Sequence, residues 1–174
     1  MHGMYLTRRE FWTAIHGMVL GAAFLILFTG VLAGLWMLKG NRLTEAGARM
    51  CACCTAIGAW GMALLAWAAV FVGTYMIYPW YRGGPPGTYP KALLLANPRT
   101  AQWHEFGMEW KEHIAWLAPI LATAVAYSIT RLGSGVTNHP KIRRALMMLL
   151  TVSFFCAAVA GLFGAMINKA APIR

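Results

Sequence analysis

The chain is 174 residues long, 59% hydrophobic and 11% charged, with a formal net charge of +10. Soluble domains carry about a quarter charged residues, so this composition, with a mean hydropathy of +0.56, excludes an ordinary water-soluble globule. The positive balance does not point to nucleic acid. The basic residues stand in short clusters between apolar runs, the pattern of loops that lie against anionic lipid headgroups.

A hydrocarbon core about 30 Å thick needs about 20 apolar helical residues to cross it. Four stretches meet that length: Phe11–Leu38, Cys54–Trp80, Trp110–Arg131 (apolar from His113 to Ile129) and Ala145–Ile167. Trp12, Trp36, Trp80, Tyr81, Trp110 and Tyr127 stand near their ends, where amphipathic rings anchor a span at the interface. Residues 1–174 are therefore expected to form one all-α integral membrane domain. Its architecture is expected to be a four-transmembrane-helix bundle built from two helical hairpins.

The segment Thr7-Arg8-Arg9-Glu10-Phe11 resembles a twin-arginine export signal. The apolar run behind it is long for such a signal and has no small-residue cleavage site, so a retained first helix is expected. The connections at Lys39–Met50 and Arg131–Arg144 are short. The middle one, Tyr81–Glu112, is long and opens with Arg82-Gly83-Gly84-Pro85-Pro86-Gly87, which cannot be helical. The apolar piece Ala92–Ala96 is expected on the membrane surface. Thr100 is the expected cap of a helix from Ala101 to Ile129, whose first turns extend the third span. The termini and long loop hold eight Lys/Arg and four Glu, against seven and one in the short loops. The denser basic side is expected to be cytoplasmic, which puts both termini on the periplasmic side of a bacterial inner membrane.

The histidines carry the functional reading. His2 and His139 read as solvated. A titratable side chain inside a span is costly in lipid and so is a functional candidate. His16 lies one turn inside the first span and His113 at the start of the third. Odd-numbered spans run in the same direction, so the two imidazoles reach similar depth from one face. Such a pair can serve as axial ligands of one haem b, and His104 is the alternative ligand. The stripe below His16 narrows to Gly30 and Gly34, which would let a flat macrocycle approach the helix. Arg8, Arg9, Arg82, Arg99 and Lys111 are available at that face to pair with propionates.

The segment Trp103–His113 gathers His104, Glu105, Glu109 and Glu112 beside this face, as a proton or quinone site, a docking surface or a solvated acidic face. Cys51, Cys53 and Cys54 crowd the second span and Cys156 lies in the fourth. Their spacing fits neither a disulfide framework nor a zinc site, so packing between helices is the expected role, with a metal held by the Cys51, Cys53 and Cys54 cluster as the alternative. No nucleophile–base constellation or phosphate loop appears, and independent catalysis is not expected.

The four-span pattern with His16 and His113 near one interface resembles small membrane cytochromes b in general, such as the anchors of respiratory dehydrogenases and hydrogenases. The resemblance implies a haem-binding subunit of an oxidoreductase complex, passing electrons between quinone and a redox partner protein beside other membrane subunits. The chain lacks the second histidine pair of two-haem members. Alternatives are a subunit binding a chlorophyll-type pigment through the same histidines, and a structural or assembly subunit without a cofactor.

Overall fold

The computed structural model describes residues 6–40 and 43–172. His2 lies outside them. Among the described residues every regular element is helical. Four helices are long and apolar enough to cross a membrane: α1 (Arg8–Met37), α2 (Glu45–Arg82), α4 (Pro98–Asn138) and α5 (Pro140–Ala170). A short helix, α3 (Pro90–Leu95), lies in the long connection.

The ends of these helices follow from local chemistry. Thr7 and Glu10 form a reciprocal capping box at the start of α1, so two N–H groups that the helix leaves free find acceptors. Helix α2 begins at Glu45 rather than at the apolar boundary, which places Cys51, Cys53 and Cys54 inside it. Its last turn closes at Arg82, and Gly83 is extended. The Gly/Pro run that follows is non-helical, as its residues require.

The cap expected at Thr100 is instead Asn97. Its side chain accepts from the Arg99 N–H at 3.0 Å, and Pro98 occupies the first helical position, where a missing N–H costs nothing. The Thr100 hydroxyl turns back to the Leu94 carbonyl at 2.9 Å and ties α3 to the start of α4.

The chain divides into two compact units. Unit 2 comprises Ala22–Trp67 and Leu117–Ala157. Its core is built on Phe28, Val31 and Leu35 of α1, Ala59 and Met62 of α2, Val125 and Ile129 of α4, and Leu146 and Leu150 of α5. Close approach of α1 and α2 depends on residues without bulk. A β-carbon on Gly34 would overlap Thr55 Oγ1, and one on Gly61 would stand 3.0 Å from Leu27 Cδ1. Small residues at such a seam let backbones approach and bring many weak dispersion contacts into range. Polar groups within the unit are paired across helices. Trp60 and Trp67 donate to Thr130 and Thr123 at 3.1 Å each, and Ser153 donates to the Ala118 carbonyl at 2.7 Å.

Unit 1 comprises Met1–Gly21, Ala68–Trp116 and Ala158–Arg174. Its smaller core gathers Tyr81, Leu94, Met108, Ile167 and Ala171. The four π-helical stretches found among the described residues all belong to unit 1: Ile15–Val19, Gly73–Ile77, Trp103–Met108 and Trp110–Ile114. A π turn widens the ladder by one residue and is frequent at functional sites. Three of these stretches contain His16, His104 and His113.

Candidate functional site

Unit 1 contains the candidate site. His16 lies in the first π turn of α1, and its imidazole packs against α2 at Gly73. A β-carbon there would stand 3.0 Å from His16 Cε1. The Nδ1 atom of His16 is enclosed and has no hydrogen-bond partner. The Ala69 backbone lies within hydrogen-bonding reach of the ring as a whole, and the Lys111 ammonium is within electrostatic range of it. An enclosed, unsatisfied ring nitrogen is costly unless a further group completes it.

Lys111 enters the same interior from α4. Its Nζ donates to the Ala160 carbonyl at 3.3 Å. The room for it comes from Gly164 on α5, where a β-carbon would lie 2.8 Å from that nitrogen. Of the ammonium's three donors, that carbonyl takes one. Phe163 of α5 forms an aromatic wall nearby, with the rings of Phe106, Trp110 and Trp103 at centroid distances of 5.5, 6.3 and 6.4 Å. Gly107 admits the Phe163 ring at van der Waals distance.

His113 is placed differently. Its side chain is 68% exposed, and Nδ1 lies 3.1 Å from the Glu109 carbonyl and 3.3 Å from the Glu109 carboxylate, one turn back on the same helix. Lys111 turns inward and His113, two residues on, turns outward. The expected imidazole pair is therefore not assembled; His16 packs on Gly73, with the Lys111 ammonium within electrostatic range. Gly30 is exposed with open space around it, and Gly34 is filled by Thr55 within unit 2, so both serve the helix surface and helix packing in this arrangement.

The segment from His104 to Glu112 forms part of a hydrogen-bonded group that the sequence did not disclose. Tyr81, expected to be an interfacial anchor, is 2% exposed, and its hydroxyl is 2.8 Å from His104 Nδ1. Tyr78 stacks on Tyr81 with centroids 6.2 Å apart and accepts from Arg82 at 2.9 Å, and the Glu112 carboxylate is within electrostatic range. Glu105 is exposed. The Arg9 guanidinium lies 5.9 Å over the Trp80 ring. It borders a cleft of about 550 Å³ with Gly83, Gly84, Tyr89 and Leu93. The spacing of Tyr78 and Tyr81 on one face of α2 was the available clue to their shared role.

Among the described residues, no cluster of three or more His, Cys, Asp or Glu is arranged to hold a metal ion. Cys51 is half-buried, with Sγ 3.7 Å from the Gly34 carbonyl, while Cys53 and Cys54 are exposed and Cys156 is buried.

The structure thus defines an all-helical protein with four helices of membrane-crossing length and a polar interior in unit 1. No protein-family model matches the chain, and neither a curated protein nor a solved structure is significantly similar to it.

Proposed function

We propose that this chain is a multi-pass subunit of a bacterial plasma-membrane electron-transfer complex, and that unit 1 is its quinone-binding end. The observation that carries the reading is the inward pair His16 and Lys111, with an enclosed unpartnered nitrogen on one and spare donors on the other. A polar pair of this kind among apolar helices is costly unless it binds something. A quinone carbonyl accepts hydrogen bonds from such donors, and the Phe163–Trp110 wall suits a flat ring. Reduction of a quinone to a quinol takes two electrons and two protons. The electrons come from a partner redox protein in the same complex. The Tyr81–His104 contact, with Tyr78 and Glu112 beside it, supports a route by which those protons reach the quinone.

Haem b is the second reading, favoured by the unpartnered nitrogen of His16 alone. The residues as placed do not offer a second imidazole across from it, because His113 is exposed and bonded within its own helix.

Purification in mild detergent, followed by an absorption spectrum and organic extraction of bound redox groups, tests both readings. Quinone co-purifying with the wild type and falling in His16→Ala and Lys111→Met supports the proposal. A haem spectrum that disappears in His16→Ala replaces it with the second reading. Purified complex with neither group overturns both.

A further inference from the structure

Unit 2 contains a second unsatisfied group, remote in sequence from the histidines. Arg143, in the first turn of α5, is 7% exposed, and its Nε and Nη1 atoms are enclosed without a hydrogen-bond partner. Its position on the helix explains the burial. Arg143, Leu146, Leu150 and Ser153 recur at helical spacing and are all buried, so Arg143 continues the inward stripe of α5. An enclosed guanidinium without hydrogen-bond partners is costly. It needs an anion.

The unit itself does not supply one. Unit 2 holds seven Lys/Arg and a single carboxylate, Glu45. That carboxylate is exposed and bonded to Arg49 at 2.8 Å. The neighbours of Arg143 along the chain, Lys141 and Arg144, are exposed and add to the positive field. The start of α5 adds free backbone N–H groups and the positive end of a 31-residue helix.

We infer that Arg143 is the centre of a binding site for the headgroup phosphate of an anionic phospholipid. A phosphate oxygen pair matches the two-pronged donor geometry of guanidinium. The place also fits, since the charge-free apolar run of α5 begins two residues later, at Ala145. A residue at that step stands at headgroup depth when the helix crosses the bilayer. The inference rests on membrane insertion and is independent of the quinone reading.

The test uses the full chain in nanodiscs of phosphatidylcholine with or without phosphatidylglycerol, read by native mass spectrometry and thermal unfolding. Wild type is expected to retain phosphatidylglycerol and to unfold at higher temperature in its presence. Arg143→Gln is expected to retain it about tenfold less well, and Arg144→Gln, with the same change in net charge, to retain it like wild type. Equal loss in both variants makes the effect general electrostatics and overturns the site. Inorganic phosphate alone reproducing the stabilisation overturns the lipid assignment in favour of a free anion. A wild type indifferent to both means that a partner's carboxylate or water completes Arg143, and overturns it too. If Arg143→Gln does not fold, Arg143→Lys, which keeps the charge but loses the fork, replaces it with the same expected loss of retention.

Discussion

The His16 imidazole fills the space that a side chain on Gly73 would need: a β-carbon there would lie 3.0 Å from Cε1. The two residues sit in π turns of different helices, so α1 and α2 meet here through a ring against a bare backbone. Gly73→Ala brings opposing effects. The methyl group favours a helical backbone by about 1 kcal/mol, while overpacking against a ring costs about 1–3 kcal/mol. A net loss of about 1 kcal/mol and a displaced imidazole are expected, with a larger loss for Gly73→Val. Thermal unfolding in detergent measures the first. A Gly73→Val protein as stable as wild type would show that His16 is not held there.

The Gly34–Thr55 contact leaves no such latitude, because the overlapping atom is close to the Thr55 backbone and its hydroxyl is bonded to the Cys51 carbonyl at 2.7 Å. Gly34→Ala is expected to cost about 2–3 kcal/mol. Thr55→Ala, which removes the hydroxyl and the methyl, is expected to recover much of that loss in the double variant. A double-mutant cycle on unfolding midpoints gives the coupling directly; additive losses would mean that the two helices do not touch at this pair.

Lys111→Met separates stability from function. The methionine fills a similar volume and removes a buried charge, so stability is expected to stay within about 1 kcal/mol of wild type or to rise. Quinone content, under the proposed function, is expected to fall at the same time. A variant that loses stability by several kcal/mol while keeping its quinone would assign Lys111 a purely structural role.

Tyr81→Phe deletes the hydroxyl that meets His104 and preserves the ring stacked on Tyr78. A loss of about 0.5–1.5 kcal/mol is expected. The imidazole resonances of His104 would shift with little change at His113. Unaltered His104 resonances would disprove the contact.

Asn97→Ala removes the cap of α4 and is expected to cost about 1 kcal/mol. Amide exchange should quicken in residues 99–102 and stay unchanged in α5. Faster exchange after Thr100→Ala instead would return the cap to Thr100.

These residues also show what could be read from the chain and what could not. The four long helices follow from the apolar runs of about 20 residues, because in lipid a helix satisfies its backbone polar groups within the one segment. The Gly/Pro break after Arg82 is equally local. The direction of each polar side chain is not. Counting about 100° per residue places His113 inward only if the turn before it is regular, and the stretches Trp103–Met108 and Trp110–Ile114 are π-helical. Lys111 faces inward in the arrangement that results. The Tyr81–His104 pair joins residues 23 apart across the long loop, and no spacing rule reaches that far. Asn97 was hidden because Thr100 has the same capping chemistry, and only the preference of Pro98 for the first helical position separates the two.

Among the described residues the π turns are confined to unit 1, and this bears on how the chain tolerates changes in length. A π turn holds one residue more than the α turn it replaces. Deleting one residue from Ile15–Val19 or Trp110–Ile114 can therefore leave an unbroken, regular helix, with a different set of side chains turned toward the interior. In unit 2 the same deletion has no surplus residue to absorb it, and it throws the Gly34–Thr55 seam out of register. Single-residue deletions should thus spare folding and abolish binding in one part of the chain, and prevent folding in the other.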